Sequence, residues 1–206
     1  MNRLSKLAAG LLVVAFTIAG CSHETHQLYN QGWVTLIDDG KGLENFNPIG
    51  DANWRVEGGA LVADKGKGGY LVSKNSYKDF EIYAEFWADR TTNSGIHFRS
   101  TDPKKIAADN SYEANIFDMR PGGPSHGTGG IPNFASVSSV VTAGGKWNTY
   151  EIHAKGSQIT MRFNGVVTVN FQDRSFASGP IALQFGNRGK EPGGAIKWRK
   201  VLVRPL

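Results

Sequence analysis

The chain of 206 residues contains one cysteine, Cys21, so it forms no internal disulfide and shows no zinc-ligand spacing. It has no apolar run approaching the ~18 residues that a membrane-spanning helix needs. No stretch of useful length follows a helical period, and neither an internal repeat nor a coiled-coil heptad is present. Blocks of like charge are also missing. Against 18 acidic residues there are 23 basic ones, a scattered excess of +5 that includes no basic run interleaved with aromatic rings. That pattern excludes a nucleic-acid footprint and points to no protein partner.

The N-terminus reads as an address. Arg3 and Lys6 precede the apolar run Leu11-Leu12-Val13-Val14-Ala15-Phe16, and small residues lead to Cys21 through Ile18-Ala19-Gly20. A basic start, a short apolar centre and small residues before the cut make residues 1–20 a signal peptide. Ile-Ala-Gly-Cys resembles the bacterial lipobox, in which the cysteine is lipidated and becomes the first mature residue; an ordinary signal peptide with a stray thiol is the alternative. The lipobox reading places the protein in the bacterial cell envelope, anchored through Cys21 and facing the periplasm, and leaves the mature chain without a thiol. Loss of Arg3 and Lys6 leaves 21 basic residues against 18 acidic, near +3. Residues 21–31 are polar and aperiodic, a tether, and one domain follows over 32–206.

What the chain has in plenty is glycine, 26 residues, clustered in loops between short alternating runs. Breaks recur every ~8 to 12 residues, the rhythm of an all-β sandwich of two antiparallel sheets. Asn164-Gly165, between two alternating runs, predicts a tight hairpin because both central residues of that turn need positive φ. The glycine-rich stretch 121–130 lacks the Gly-Lys-Ser/Thr ending of a phosphate loop, so it is read as a loop rimming a site, with His126 its one titratable side chain.

Three strands carry the functional signal. In Asn93-Ser94-Gly95-Ile96-His97-Phe98-Arg99, Ile96 and Phe98 point one way, and Gly95, His97 and Arg99 the other. Residues 80–87 place Glu81, Tyr83, Glu85 and Trp87 opposite Phe80, Ile82, Ala84 and Phe86, and residues 112–118 put Glu113, Asn115 and Phe117 on one side. Rings for the C–H faces of a sugar, with forked polar groups for its hydroxyls, predict a saccharide groove on a concave face. A solvated sheet face is the bland alternative, which accounts for Glu81 and poorly for Tyr83 and Trp87. Trp54, Trp147 and Trp198 read as core or edge packing, His153 as a solvated strand residue, and Asp38-Asp39-Gly40 and Glu57-Gly58-Gly59 as turns.

The ordered landmarks Trp33, Trp54-Arg55-Val56-Glu57-Gly58-Gly59, Tyr77-Lys78-Asp79-Phe80-Glu81, Asn93 to Arg99, Tyr112 to Asp118, Trp147-Asn148-Thr149-Tyr150, Asn164-Gly165 and Gly179 to Gln184 resemble the bacterial 3-keto-disaccharide hydrolase domain from about Gly32 to Leu206. The resemblance implies a concanavalin A-like jelly-roll sandwich and action on glycosides oxidised at carbon 3, by hydrolysis or by elimination. The family's signatures map onto Glu85, Asn93, Arg99, Glu113 and Asp118. Where members often carry His-Gly after the Leu-Gln pair, this chain has Phe185-Gly186 after Leu183-Gln184, leaving His97 or His126 to supply an imidazole.

On this reading Glu113 or Glu85 is the base, and Arg99 stabilises an enolate. A divalent cation held by His97 with nearby carboxylates is the alternative source of positive charge; no cofactor is otherwise required. Tyr83, Trp87, Asn93, Asn115, Asp118, His126 and Gln184 are the expected substrate contacts. An ordinary glycosidase with Glu85 and Glu113 as its acid pair, and a tethered carbohydrate-binding module without chemistry, remain the competing readings.

Overall fold

The computed structural model describes residues 32–121, 123, 126–186 and 194–206. The signal segment, the tether and Cys21 therefore lie outside the described residues. Gly32–Leu206 is one compact unit.

The strands are β1 Val34–Asp38, β2 Phe46–Gly50, β3 Arg55–Glu57, β4 Ala60–Ala63, β5 Gly69–Tyr77, β6 Phe80–Ala88, β7 Ser94–Phe98, β8 Tyr112–Ile116, β9 Lys146–Lys155, β10 Gln158–Phe163, β11 Val166–Gln172, β12 Gly179–Phe185 and β13 Ile196–Pro205. A 3-10 turn spans Leu43–Asn45. Two sheets result. One runs β11-β10-β9-β6-β13-β4-β3, with β1 also pairing β13; the other runs β2-β5-β12-β7-β8. All strand pairs are antiparallel, as the short alternating runs require.

The inner faces of the two sheets make the core. In β6 the predicted alternation is observed residue by residue, with Phe80, Ile82, Ala84 and Phe86 buried and the intervening side chains half-buried. Phe86 stacks on Tyr150 at 5.4 Å and meets Trp198 at 5.6 Å, and Phe98, Tyr112, Phe134 and Phe176 form a second aromatic group. Each such ring contributes roughly 1.5–3 kcal/mol by leaving water, which lets a domain without disulfides hold together. The hairpin at Asn164-Gly165 has φ of 48° and 79°, joining β10 to β11, and a register shift follows between Met161 and Arg162.

β6 and β7 are consecutive in the chain yet lie in different sheets. That crossover decides which of the predicted residues meet.

Candidate functional site

The five-stranded sheet presents an outer face on which β7 and β8 pair His97 with Glu113 and Gly95 with Asn115. β12 lies on the other side of β7, with Ala182 opposite His97 and the bridge Asn93–Gly186 further along, so Gln184 falls beside Gly95. Tyr70 of β5 stands next to Gln184. The loop between β7 and β8 folds back over these strands: Ile106 packs on Val72 and Ala182, with Ile49 and Tyr70 against them. This cover is why His97 is only 1% exposed and Glu113 7%, although both project from the outer face.

The histidine's protonation follows from its neighbours. The Ser111 hydroxyl donates to the Ala107 carbonyl at 2.6 Å, so its oxygen can only accept from Nδ1–H of His97, 2.8 Å away. Nε2 is then bare. It is buried, makes no hydrogen bond, and lies 3.6 Å from Oε1 of Glu113. Burial pushes His97 down to about 3, so the ring is neutral across the working pH range. Burial likewise lifts the Glu113 carboxyl to about 7, against an opposing pull from the positive charge of Arg120. A carboxyl that changes state near neutrality is suited to take and return a proton.

Tyr70 and Gln184 complete the constellation. Gln184 Nε2 donates to the Tyr70 hydroxyl at 3.1 Å, which leaves that hydroxyl's own proton to donate elsewhere. Burial pushes the Tyr70 phenol up, so it keeps the proton. Oε1 of Gln184 is buried without a partner. The Tyr70 ring meets His97 edge-on at 5.4 Å. Two buried acceptors without donors and one free donor, on adjacent strands, describe a place prepared for a hydroxyl-bearing ligand.

Gly95 is where it is because Glu113 lies over it. A Cβ there would stand 2.7 Å from Oε1 and 2.9 Å from Cγ of Glu113. Gly95→Ala is accordingly expected to displace the carboxyl from Nε2 of His97 and lower activity while the melting temperature moves little. An alanine variant with unchanged pH–rate profile and rate would show that the carboxyl's placement is irrelevant.

Several expected site residues lie elsewhere. Glu85, Tyr83 and Trp87 project from the outer face of the eight-stranded sheet, on the opposite side of the sandwich from Glu113. There the Tyr83 hydroxyl donates to Glu85 at 3.0 Å, Glu85 pairs with Arg199 at 2.6 Å, and Lys197 sits 4.8 Å over the Trp87 ring. Alternation places a residue inside or outside its own sheet, and a two-sheet sandwich has two outsides. The expected convergence of Glu85 with Glu113 is therefore wrong.

Arg99 is also corrected. The chain leaves the extended conformation at this residue, where φ is 55°, and the side chain turns into the interior instead of continuing the His97 face. It donates to the carbonyls of Lys78 and Gly156, each at 2.8 Å, and to Asp79 at 3.2 Å, tying the β5–β6 turn to the β9–β10 turn. Asn115 is on the right face, but its amide donates to the His126 carbonyl at 2.8 Å. Asp118 accepts from the Thr128 hydroxyl and the backbone N–H groups of Ala143 and Gly144. Both hold the glycine-rich loop against β8, and the His126 ring lies 3.4 Å from the Ser136 hydroxyl. Asn93 and Gln184 do line the cleft beside Tyr70.

Sequence reasoning passed over Tyr70, Ser111 and Arg120. Tyr70 alternates with buried Leu71 and was open to the same argument as Tyr83; Ser111 and Arg120 sit in loops, where no period signals direction. As for a cation, no group of three or more His, Cys, Asp or Glu side chains gathers among the described residues, so His97 and Glu113 would supply two protein ligands at most.

A family model described as the 3-keto-alpha-glucoside-1,2-lyase-like domain matches residues 32–204. A structure from Parabacteroides distasonis ATCC 8503, described as a candidate glycosyl hydrolase, is 26% identical with a TM-score of 0.67, covering 84% of this chain and 99% of that one. A second candidate glycosyl hydrolase from the same organism is 18% identical with a TM-score of 0.72, covering 91% and 98%. The carbohydrate-binding module CBM66 from Bacillus subtilis shares the fold at 16% identity, a TM-score of 0.55 and coverage of 84% and 96%. No protein of curated function matches. The concanavalin A-like all-β class expected from the sequence stands.

Proposed function

We propose, from the premise that this chain belongs to the 3-keto-alpha-glucoside-1,2-lyase-like domain family, that the domain cleaves the glycosidic bond of saccharides oxidised at carbon 3, with Glu113 as the base. The observation that carries this reading is the one buried carboxyl among the described residues, raised to about 7 and facing the bare Nε2 of a neutral histidine.

A ketone at carbon 3 acidifies the hydrogen on carbon 2. The Glu113 carboxylate takes that proton, and the C–H electron pair forms a carbon 2–carbon 3 double bond while the ketone oxygen becomes an enolate. The free proton of the Tyr70 hydroxyl is the donor to that oxygen, within the positive field of Arg120; such a preorganised donor is typically worth ~3 kcal/mol. Collapse of the enolate breaks the bond from carbon 1 to the glycosidic oxygen, which leaves with the proton that Glu113 returns. Water adding across the new carbon 1–carbon 2 double bond makes the net reaction a hydrolysis. His97 Nε2 accepts a hydrogen bond from a substrate hydroxyl or from Glu113 once protonated, holding the proton in place. Gln184 Oε1 accepts from a second hydroxyl.

A two-carboxylate glycosidase is not favoured, because Glu113 is the only acidic residue in the five strands of this sheet. The likeness to CBM66 favours a second reading, saccharide binding without chemistry.

Deuterium at carbon 2 of a 3-keto glucoside separates these. The labelled substrate is expected to react more slowly and lose its label to solvent. Full retention of label at undiminished rate would mean direct hydrolysis, and binding without turnover would mean a binding module.

We propose also that Cys21 carries lipid and holds the domain at the cell envelope, from the lipobox-like Ile18-Ala19-Gly20-Cys21. Palmitate labelling should disappear in Cys21→Ala; label that persists in the variant, or none in wild type, refutes this.

A further inference from the structure

The cleft that opens beside Tyr70 and Gln184 has a volume of about 430 Å³ and a one-sided charge. Its described lining includes Asn93, Lys67, Lys104 and Lys105 and contains no aspartate or glutamate. The lysines arrive from two loops distant in sequence, Lys67 between β4 and β5 and Lys104 and Lys105 between β7 and β8. Their convergence is therefore a product of the fold and not of a basic run.

Two carboxylates bonded to the same loops, Asp51 between β2 and β3 and Asp102 between β7 and β8, are engaged by the backbone. Asp51 accepts from the N–H groups of Lys67 and Gly68, and Asp102 accepts from the N–H of Lys104 at 2.9 Å. None of the three ammonium groups forms a salt bridge among the described residues. Several other cations of the domain pair with acids, Arg55 with Asp64, Arg99 with Asp79, Arg199 with Glu85, Lys200 with Asp38 and Arg204 with Glu81, while scattered surface lysines such as Lys74 and Lys155 form no salt bridge among the described residues. Unpaired lysines alone would be ordinary solvated side chains. Here they rim a cleft whose floor holds the unpartnered Oε1 of Gln184, which requires a hydroxyl or amide donor, and the Tyr70 hydroxyl, whose proton requires an acceptor. A bare inorganic anion would satisfy the lysines and leave Gln184 unmet. A neutral sugar would do the reverse.

We infer that the cleft takes a saccharide bearing an anionic substituent, a sugar carboxylate or phosphate ester, whose hydroxyl donates to Gln184 and whose carbon 3 oxygen accepts from Tyr70 while its charge lies among Lys67, Lys104 and Lys105. This rests on the function proposed above and names its substrate class. The same arrangement draws the substrate in by its charge and orients the ring, with the anionic end at the lysines and the reacting carbons toward Glu113.

Three 3-keto probes that differ only at carbon 6 test it: the methyl α-glucoside, the methyl α-glucuronide and the methyl α-glucoside 6-phosphate. For the full-length protein, kcat/KM is expected to be about tenfold higher for at least one charged probe than for the neutral one at low ionic strength, and most of that preference should vanish in about 0.5 M salt. Whether the glucuronide or the phosphate ester leads identifies the source of the charge. In Lys104→Gln/Lys105→Gln, the preference should fall to a few-fold or less while turnover of the neutral probe is unchanged. Equal kcat/KM for neutral and charged probes, or a preference indifferent to both salt and the lysine variant, overturns the inference and leaves the proposed reaction standing. Turnover of none of the three overturns both.

Discussion

Glu113→Gln is expected to lower turnover of a 3-keto glucoside by ~10² to 10⁴ and at the same time to make the protein more stable at neutral pH. The two effects have one cause. In the folded protein burial raises this carboxyl from its ordinary 4.5 to about 7, so ionising it inside the fold costs more than ionising it in the unfolded chain. The stability associated with the neutral form is complete below about pH 4.5 and is lost as pH rises toward 7; by linkage the loss amounts to at most about 3 kcal/mol. Glutamine cannot ionise and escapes the loss. Its amide can also donate to the bare Nε2 of His97, a partner the carboxylate lacks. His97 has the opposite dependence, since its folded value is depressed to about 3 and its contribution is lost as pH falls from 6.5, but it is common to both proteins and cancels in the comparison. The melting temperatures of wild type and variant should therefore coincide near pH 4 and separate above pH 5, with the variant higher. A glutamine variant that keeps its turnover, or that melts below wild type at pH 8, would contradict the assignment of the base.

Arg99→Met is expected to act in the reverse manner, on stability and not on chemistry. The guanidinium is 1% exposed and serves the carbonyls of Lys78 and Gly156 and the carboxylate of Asp79, while lying 5.9 Å from the centre of the Phe80 ring. Methionine fills much of the volume but removes the side-chain donor from both carbonyls, and leaves Asp79 with the N–H of Gly156 in place of the guanidinium. The cost should be about 3 kcal/mol, which for a domain of this size lowers the melting temperature by roughly 6–12 °C. Lysine should rescue little, because one ammonium cannot span both turns with the geometry of the guanidinium fork. Well below the melting temperature kcat should be that of wild type. If kcat collapsed while the melting curve stayed in place, Arg99 would belong to the reaction after all.

These expectations differ from those the strands alone suggest, and particular residues show why. Alternation in Phe80 to Trp87 was decisive for which side chains enter the core, since the pleat repeats every two residues and Phe80, Ile82, Ala84 and Phe86 are all buried. It was equally decisive for His97 and Glu113, which leave their strands on the same side and meet because β7 and β8 are successive and antiparallel. The hairpin at Asn164-Gly165, the loops and the family were open to the same reading of residues in order. Glu85 was not, because its face is assigned relative to its own sheet. Only the pairing of β6 with β9 and β13, and of β7 with β8 and β12, puts the two carboxyls on opposite sides of the sandwich. Arg99 escaped for a more local reason: positive φ ends the strand at that residue, and the direction inferred from His97 no longer applies.

The amino-acid sequence by itself determined the two-sheet β class, the core positions and the outward direction of His97 and Glu113 on their strands, because these follow from a backbone period; the register of β7 on β8 made them a pair. Tertiary structure alone decided that Tyr70 and Ser111 join Gln184 around that pair and that Lys67 joins Lys104 and Lys105 at the cleft. It also decided the state of the pair, since the neutrality of His97 and the raised carboxyl of Glu113 come from exclusion of water by the β7–β8 loop and neighbouring strands, a property of the packed whole that no spacing of residues encodes.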